Sequence, residues 1–465
     1  MSKKLFIKTY GCQMNVYDSN RMQDLMNACG YENAQNEEEA EMVIINTCHI
    51  REKATEKLFS DLGRLQKIKE KKQLNNQEMI VAVAGCVAQA EGEEIFKRSK
   101  VADIIVGPES YQTLPDLVGK VIRDNKRQLN LEFIANDKFD KIISPKAGVN
   151  ASAFVTIQEG CDKFCTFCVV PYTRGAEYCR SVEQIYQEAQ QYANQGVQEI
   201  YFLGQNVNAY KSFDVNKEEY SLAKLIEKVA SINQIKRIRY TTSHPRDMSD
   251  DLIKAHRDSE KLMPFLHLPV QSGSNNILQA MNRKHTRDEY FKIIDKLRNF
   301  RPDIGLSSDF IVGFPGETDQ DFEDTLDLVR KIGFTQCYSF KYSPRHGTPS
   351  ADAKNQVEEK IKDQRLAVLQ ELLTNQQVEF NKKFEGKKIK VLFEKEAPKS
   401  KKKFDNKSGS GEINSNQIKQ LWGKSEWLQS VVVDLDNAKK IDELFGKIFE
   451  VEVIKSRPSS LIAKF

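Results

Sequence analysis

Three cysteines near the middle of the chain have a spacing suited to iron–sulfur chemistry. Cys161, Cys165 and Cys168 lie within eight residues of sequence. Three thiolates this close can hold three irons of a four-iron cluster, which leaves the fourth iron open for a substrate or cofactor. A structural zinc site would normally be closed by a fourth Cys or His nearby. Cys179 is the nearest candidate, but its position fits no standard zinc pattern, so the spacing favours a cluster.

A second set of three cysteines is spread along the first part of the chain. Cys12, Cys48 and Cys86 are separated by 36 and 38 residues, and each directly follows a strand-like apolar segment. Ligands of an open parallel sheet bind beyond the carboxyl ends of its strands, so three successive βα units would bring these thiols to one edge. Three independent, half-buried thiols are the alternative. The equal placement in three units favours a second three-ligand site.

The remaining three cysteines lack such a context. Cys29 precedes Gly30 at the end of a helical segment, and Cys337 lies within a strand-like segment. We expect both to be core or uncharged thiols. Cys179 has no assigned chemistry.

The second cysteine set requires a particular arrangement of the first part of the chain. Short strands are predicted over 4–10, 42–47, 79–84 and 103–106. Charged helical stretches separate them, over 18–28, 51–72 and 88–98. Strands that alternate with helices indicate a parallel sheet. We therefore predict an α/β fold that begins with an open parallel βα domain over 1–120, followed by a polar linker over 121–146.

The first cysteine set requires a barrel-like arrangement further along. Six more strands are predicted over 153–157, 199–203, 237–242, 265–270, 306–312 and 335–342, with helices such as 182–195 and 286–299 between them. This alternation predicts a partial (β/α)6 barrel over 147–379. Reactive groups of such barrels gather at the carboxyl ends of the strands, where the loop with Cys161 begins.

The last 84 residues differ in pattern and in charge. Strand-like runs over 388–393, 430–435 and 448–454 predict a small β-barrel over 382–465, and the basic stretch 399–411 predicts a loop. Residues 381–465 carry 19 Lys and Arg against 12 Asp and Glu, a net charge of +7, whereas residues 1–380 carry −3. A basic domain favours a polyanionic partner such as nucleic acid, although a solvated lysine-rich surface would have the same composition.

Composition excludes secreted and membrane proteins. The chain of 465 residues is 40% hydrophobic and 29% charged, with a net charge of +4, which is typical of a globular protein of about three domains. No segment approaches the ~18 apolar residues of a membrane span, and no signal peptide is recognisable. Nine cysteines over a long chain make a poor disulfide framework. We therefore expect a cytoplasmic protein with reduced thiols.

Longer motifs surround the two cysteine sets. They are CQMN at 12–15, NTCHIREK at 46–53, GCVAQ at 85–89, CVVPYTRG at 168–175, LGQNVNAY at 203–210, QSGSNNILQAMNR at 271–283 and DFIVGFPGET at 309–318. Together they resemble the radical S-adenosylmethionine methylthiotransferases over almost the whole chain. They are most similar to members that place a methylthio group on C2 of N6-dimethylallyladenosine in the anticodon loop of tRNA. The last domain resembles the RNA-binding TRAM barrel of that family, most clearly at GKSEWL over 423–428.

The resemblance implies two [4Fe-4S] clusters and S-adenosylmethionine as cofactors. Cys161, Cys165 and Cys168 match the ligands of the cluster that binds S-adenosylmethionine. The other set, Cys12, Cys48 and Cys86, matches the ligands of an auxiliary cluster. Seven further residues match the surroundings of S-adenosylmethionine, namely Gly204, Gln205, Asn206, Ser243, His244, Gly313 and Glu317. Polar residues at strand ends can also simply cap the strands, and Pro245 after His244 makes a plain turn an equal explanation.

The chain departs from the family at one point. After Arg174 and Gly175 the family usually continues with Glu, a variable residue, Ser and Arg. Here Cys179 stands at the serine position. A thiol is a weak donor, so this puts in doubt any hydrogen bond that the serine hydroxyl supplies.

The resemblance also implies a reaction and its partners. S-adenosylmethionine would be cleaved reductively to remove hydrogen from the substrate, and sulfur from the auxiliary cluster would be methylated by a second S-adenosylmethionine. The expected partners are a tRNA anticodon loop with an isopentenylated adenosine, an electron donor such as flavodoxin or ferredoxin, and iron–sulfur assembly proteins. We expect a monomer without a membrane partner.

Two other functions are compatible with parts of the pattern. A sister methylthiotransferase would act on threonylcarbamoyladenosine in tRNA or on an aspartate of a ribosomal protein. A non-catalytic RNA-binding protein would instead hold about one or two structural zinc ions.

Overall fold

The first part of the chain forms the predicted parallel sheet. The computed structural model describes residues 2–49, 53–133, 151–396, 419–435 and 441–465. The strands are β1 (Lys3–Tyr10), β2 (Tyr31–Asn33), β3 (Met42–Thr47), β4 (Ile80–Gly85), β5 (Ile104–Val106) and β6 (Gln128–Asn130), in the order β2-β1-β3-β4-β5-β6. The helices are α1 (Gln13–Ala28), α2 (Lys53–Leu74), α3 (Cys86–Glu91), α4 (Glu93–Arg98) and α5 (Leu114–Asp124).

The sheet is apolar on both faces, which explains why its inner strands were recognisable. Val43 and Ile45 of β3 pack on one face, whereas Met42 and Ile44 pack on the other, and all four are fully buried. A strand covered on both faces reads as a continuous apolar run. Among the described residues, no helix is long and apolar enough to cross a membrane.

Three features of this domain differ from the predictions, the first of which is the edge strand β2, which was not predicted. The helix predicted over 88–98 is broken at Gly92, whose φ of +49° ends α3 before α4 begins. The linker predicted over 121–146 is wrong at its start, because α5 continues to Asp124 and β6 pairs in parallel with β5. β6 is a short, polar edge strand without an apolar pattern. Residues 134–146 of the predicted linker lie outside the described residues.

The central part of the chain forms the predicted partial (β/α)6 barrel. Its six parallel strands are β7 (Ser152–Thr156), β10 (Glu199–Leu203), β13 (Arg237–Tyr240), β14 (Phe265–His267), β15 (Gly305–Val312) and β16 (Gln336–Lys341). Short strands occur in the connections, namely β8 (Gln158–Glu159), β9 (Tyr178–Cys179), β11 (Lys211–Phe213) and β12 (Glu219–Ser221). The helices are α6 (Val170–Arg174), α7 (Val182–Asn194), α8 (Leu222–Ala230), α9 (Asp250–Asp258), α10 (Asn275–Ala280), α11 (Arg287–Phe300) and α12 (Asp319–Ile332).

The central barrel is open on one side. Its strands follow the orders β13-β10-β7 and β14-β15-β16, and a parallel bridge between Ile238 and Leu262 joins the two halves. Within the described part of the chain, β7 and β16 pair on one side only, so they border the gap. Helix α1 of the first domain packs beside β7, where Thr156 Oγ1 donates to Met14 Sδ at 3.7 Å. The parallel-sheet domain thus lies against one border of the gap.

The last part of the chain forms a closed five-stranded barrel, as predicted. Helix α13 (Glu359–Lys382) leads into β17 (Lys388–Glu396), β18 (Lys419–Ser425), β19 (Ser430–Leu435), α14 (Ile441–Leu444), β20 (Ile448–Arg457) and β21 (Ser460–Lys464). The strand order is β17-β18-β19-β21-β20. Strands β18 and β21 were not predicted. The basic stretch 399–411 lies outside the described residues.

The turn between β18 and β19 closes the amino-terminal mouth of the central barrel. Arg239 of β13 donates to the carbonyl oxygens of Ser425 at 2.7 Å and Glu426 at 2.9 Å. Trp427 Nε1 donates to the carbonyl oxygen of Asp303 at 2.7 Å. GKSEWL, the segment most similar to a TRAM domain, therefore attaches this small barrel to the central one.

Candidate functional site

The loop with the first cysteine set begins at the carboxyl end of the first barrel strand. Cys161, Cys165 and Cys168 lie between β8 and α6, and Cys168 N donates to the carbonyl oxygen of Cys165 at 2.9 Å. Gly160 starts the loop with a φ of +71°, and a Cβ there would lie 2.0 Å from the carbonyl oxygen of Ala176. Only glycine fits this close approach, so the chain turns sharply where the cysteines begin.

In this set Cys165 is buried and Cys161 and Cys168 are half-buried, and a cation lies beside Cys165. Burial raises the pKa of Cys161 to about 11 and that of Cys168 to about 12, and repulsion from Cys165 adds to both shifts. Arg283 Nη1 lies 3.5 Å from Cys165 Sγ and donates to it. Metal ligation requires the thiolate form, so a bound cationic cluster would oppose these shifts.

Gln158, which sequence reasoning missed, joins this loop to the predicted segment 204–206. Its Nε2 donates to the carbonyl oxygen of Gly160 at 2.7 Å, and its Oε1 accepts from the backbone N–H groups of Gln205 at 2.8 Å and Asn206 at 2.9 Å. A Cβ at Gly204 would lie 2.7 Å from Gln158 Oε1. The segment 204–206 therefore braces the cysteine loop. The signal in sequence was a polar pair, Gln158 and Glu159, just after a buried strand.

The second cysteine set lies at one edge of the parallel sheet. Cys12, Cys48 and Cys86 follow the neighbouring strands β1, β3 and β4, at the start of α1, after β3 and at the start of α3. A Cβ at Gly11 would lie 2.3 Å from Cys48 Cβ, which shows how closely the first two approach. A hydrogen bond with Cys48 lowers the pKa of Cys12 to about 6, whereas burial raises that of Cys86. Helix N-termini also favour thiolates.

Two asparagines hold this edge together. Asn15 Nδ2 donates to Asn46 Oδ1 at 3.0 Å, and Asn46 Nδ2 donates back to the carbonyl oxygen of Asn15 at 2.9 Å. Gly85 approaches the same pair, since a Cβ there would lie 2.3 Å from Asn46 Oδ1. These contacts explain the Asn of CQMN and of NTCHIREK, which sequence reasoning did not assign.

A buried arginine links the two cysteine sets. Arg174, at the end of α6, lies 2.7 Å from Asp18 of α1 and 3.2 Å from Glu159 of β8. Its side chain is 3% exposed, and both carboxylates are 2% exposed. The charge of Arg174 lowers the pKa of Cys12 and opposes the rise at Cys86, so this cation lies beside the second set. Sequence reasoning assigned no role to it.

Polar atoms at the barrel mouth fit a polar ligand such as S-adenosylmethionine. Ser243 and His244 follow β13, and burial lowers the pKa of His244 to about 2, so its ring is neutral. Four buried side-chain atoms here have no hydrogen-bond partner among the described residues: Asn206 Oδ1, Ser243 Oγ, His244 Nε2 and His285 Nε2. Buried polar atoms are normally hydrogen-bonded, so this group suits a bound polar molecule.

Gly313 and Glu317 shape the loop after β15. Glu317 Oε2 accepts from Gly313 N at 2.6 Å and from Arg365 Nη1 at 2.8 Å. Gly313 has a φ of +67°, and a Cβ there would lie 2.3 Å from Lys362 Cγ. Both residues are therefore engaged in holding the loop against α13, and their role toward S-adenosylmethionine stays a prediction.

The ligand assignments of both cysteine sets also stay predictions. As placed, no group of three His, Cys, Asp or Glu side chains in the described ranges could hold a metal ion. A four-iron cluster makes a different demand, because each thiolate binds its own iron rather than a shared point. The donor types and loop positions fit such a cluster at both sets.

The three other cysteines lie apart from these sets. Cys29 is exposed, so of the two predicted alternatives, a core or an uncharged thiol, the core thiol is wrong and the uncharged thiol stays a prediction. Burial raises the pKa of Cys337 well above its usual value, which agrees with the predicted uncharged thiol. Cys179 lies in β9 opposite Gln158, and burial raises its pKa to about 11.

Comparison with known proteins decides the family. A protein of Rickettsia canadensis (strain McKiel) is 55% identical over 462 residues, which cover 99% of each chain. A protein of Rickettsia bellii (strain OSU 85-389) is 56% identical over 463 residues, again 99% of each chain. Both are named tRNA-2-methylthio-N(6)-dimethylallyladenosine synthase. The chain belongs to this methylthiotransferase family.

Family models match the first two domains of this methylthiotransferase family member, and solved structures share its fold. Residues 155–329 match the radical SAM superfamily, and residues 4–107 match the uncharacterized protein family UPF0004. The cobalamin-dependent S-adenosylmethionine radical enzyme OxsB matches with a TM-score of 0.54 at 12% identity, over 80% of this chain and 56% of that one. The radical S-adenosylmethionine methyltransferase TsrM of Kitasatospora setae matches with a TM-score of 0.55 at 10% identity, over 76% and 74%. These structures show the fold alone.

Proposed function

We propose that this chain transfers a methylthio group to C2 of N6-dimethylallyladenosine in the anticodon loop of tRNA. The observation that carries the proposal is the full-length identity of 55% to a protein of this name. The geometry agrees with it, because each of the two cysteine sets lies at the carboxyl end of parallel strands, and a buried ion pair between Arg174 and Asp18 joins the two domains that carry them. Aromatic C–H bonds such as C2–H of adenine are too weakly acidic for a side-chain base, which is why cofactor chemistry is required.

The proposed cofactors are two [4Fe-4S] clusters and S-adenosylmethionine. When bound, they supply the electron, the radical, the sulfur and the methyl group of the reaction. Cys161, Cys165 and Cys168 would hold one cluster, and the thiols at the sheet edge would hold the other. The buried polar atoms of Ser243 and His244 would bind polar groups of S-adenosylmethionine.

We assign a different binding role to each of the outer two domains. The parallel-sheet domain, predicted over 1–120, would hold the auxiliary cluster, and the basic barrel, predicted over 382–465, would bind tRNA phosphates in a salt-dependent way. A base in a single-stranded loop can be splayed out into a pocket. An electron donor such as flavodoxin or ferredoxin, iron–sulfur assembly proteins, a monomeric state and a cytoplasmic location remain part of this proposal.

Anaerobic reconstitution with iron and sulfide tests the cofactors. We expect about eight irons per chain, and about four in a Cys12, Cys48 and Cys86 triple alanine variant that still cleaves S-adenosylmethionine. The opposite triple variant, at Cys161, Cys165 and Cys168, should keep about four irons and lose this cleavage. The exposed thiol of Cys29 offers a matched control, since Cys29→Ala should behave as the wild type. Zinc without iron would overturn the proposal.

Mass spectrometry of tRNA nucleosides tests the substrate. Cells without the gene should lack 2-methylthio-N6-dimethylallyladenosine and accumulate the precursor without the methylthio group. Loss of the methylthio threonylcarbamoyl nucleoside instead would assign the chain to the sister activity.

A further inference from the structure

Strand β16 at the border of the gap presents two aromatic side chains to the barrel interior. Lys341 of this strand reaches outward, since its Nζ lies 2.7 Å from Asp363 of α13. Cys337 likewise packs against the core between the strands and the outer helices. Side chains alternate along a strand, so Tyr338 and Phe340 point the other way, into the barrel. They are 49% and 53% exposed, which is unusual for side chains inside a barrel.

The strand register shows what lies beside these two aromatic rings. Tyr338 is paired with Asp309, and Phe340 is paired with Ile311 of β15. Asp309 Oδ2 lies 3.6 Å from Nε2 of His267, whose ring centroid is 6.2 Å from that of Tyr338. The inner face of β14, β15 and β16 therefore combines aromatic rings with hydrogen-bonding groups.

The same face continues to the first cysteine set. Ile311 packs with Phe314 and Tyr342 in a cluster that includes Phe167. Phe167 lies directly before Cys168 in the cysteine loop. Phe340, as the cross-strand partner of Ile311, thus lies next to an apolar cluster that extends to the loop with the first cysteine set.

The opposite half of the barrel interior is already filled. Phe154 of β7 and Tyr201 of β10 point inward and stack edge to face at 5.6 Å. They pack with Met14 and Tyr17 of α1 and with Leu428 of the last barrel. On the face of β16, by contrast, the large side chains Tyr338 and Phe340 stay about half exposed, and this strand borders the gap in the barrel.

Nucleobases are recognised by this combination of groups. Splayed-out bases stack on aromatic side chains and are hydrogen-bonded at their edges. A dimethylallyl substituent adds an apolar branch that gains free energy when it leaves water. Alternatively, Tyr338 and Phe340 could be two unrelated exposed aromatic residues without a ligand. Their position on one face with Asp309 and His267 favours a shared binding role.

We propose that Tyr338 and Phe340 form the stacking face for the target adenine and its dimethylallyl group. The assignment rests on the proposed function, and it makes these two residues determinants of substrate specificity. Asp309 and His267 would then lie at the edge of the base. Because the two aromatic side chains are half exposed, truncating them removes little buried surface and should not impair folding.

Binding measurements test the assignment without turnover. Full-length, anaerobically reconstituted protein is titrated into fluorescent anticodon stem-loop RNA that carries either dimethylallyladenosine or adenosine, and anisotropy gives Kd. We expect the wild type to prefer the dimethylallyl RNA, and Tyr338→Ala and Phe340→Ala each to weaken binding of that RNA by about 5- to 150-fold, the range for one lost base–aromatic stack. Phe340→Trp keeps an aromatic stacking surface at this position, so it should bind the dimethylallyl RNA much more tightly than Phe340→Ala.

A matched control lies on the outer helix layer. Val368 of α13 is 49% exposed, so Val368→Ala removes a comparably exposed apolar side chain away from the barrel interior and should leave Kd unchanged. Equal wild-type affinity for the two RNAs, or unchanged affinity in both alanine variants, would overturn the stacking face. Methylthiolation assayed in parallel tests the proposed function separately. A wild type that prefers the dimethylallyl RNA but forms no methylthio product contradicts that function and leaves the stacking face standing.

Discussion

Arg174 and Asp18 form a buried ion pair of 2.7 Å. The pair joins α1, which begins just after Cys12, to α6, which begins just after Cys168. Asp18 lies six residues after Cys12, and Arg174 lies six residues after Cys168. The pair therefore holds α1 of the parallel-sheet domain against α6 of the central barrel. Both side chains are almost fully buried, at 3% exposure for Arg174 and 2% for Asp18.

Loss of the charge of Arg174 should destabilise the protein strongly. Arg174→Gln leaves the carboxylates of Asp18 and Glu159 buried without this cation, and breaking such a pair costs about 3–5 kcal/mol. Urea unfolding followed by circular dichroism measures the loss. Arg64, whose side chain is 50% exposed in its ion pairs, provides the control, because Arg64→Gln should cost less than about 1 kcal/mol. Equal unfolding midpoints for the two variants would contradict a structural role for Arg174.

A methyl group at Gly11 should disrupt the second cysteine set selectively. Its Cβ would lie 2.3 Å from Cys48 Cβ, and its φ of +127° strains any other residue. Gly11→Ala should therefore lose about half of the reconstituted iron and keep cleavage of S-adenosylmethionine. Gly63 lies within α2 and has no atom within 4 Å of a built Cβ, so Gly63→Ala should keep all the iron. Full iron content in Gly11→Ala would contradict this prediction, because it would show that the second cysteine set tolerates the added methyl group.

Removal of Arg239 should loosen the last barrel from the central one. Arg239 donates to Ser425 and Glu426 of the β18–β19 turn and lies 2.9 Å from Glu199, which is fully buried. In Arg239→Ala the turn loses both donors and Glu199 loses its closest cation, so hydrogen exchange over 419–435 should become faster. Arg257→Ala, which removes an exposed ion pair with Asp258, should leave that exchange unchanged. Unaltered exchange in Arg239→Ala would mean that the remaining contacts, those of Trp427 with Asp303 and of Arg237 with Lys424, hold the turn.

The buried ring of His256 should make the fold sensitive to acid. Burial, with repulsion from Arg301, lowers the pKa of His256 to about 3, and its Nε2 shares a hydrogen bond of 2.7 Å with Tyr240. The unfolded state therefore binds this proton first as pH falls below about 6.5, and the folded state loses stability between that pH and about 3. The contribution is about 2 kcal/mol at about pH 5.

His256→Gln removes this titration and should make the dependence of unfolding free energy on pH shallower over that window, while the buried His244 and His285 keep their own contributions. Exposed His346→Gln is the matched control. An unchanged acid limb in His256→Gln would assign the sensitivity to other groups.

The local pattern of apolar and polar residues was enough to predict most of the strands. The strand Glu199–Leu203 has the bounds predicted for it, because a strand buried on both faces is a continuous apolar run that needs no partner to be recognised. The cysteines could be grouped for the same reason, since their positions relative to such strands are a local property. Strands β6 and β18 were missed because their residues are polar or mixed, and their pairing is decided by the strands beside them.

The sequence by itself thus determined the strand order along the chain, the two cysteine sets and the family. Only the tertiary structure decided which distant side chains meet. Arg174 and Asp18 are 156 residues apart, and Arg239 reaches carbonyl groups 186 and 187 residues away. Such partners leave no local signal, because a buried charge or donor is satisfied by whatever group folding brings within a few ångströms. The aromatic side chains of β16 likewise stay exposed because α1 packs against the other half of the barrel interior, which no local pattern predicts.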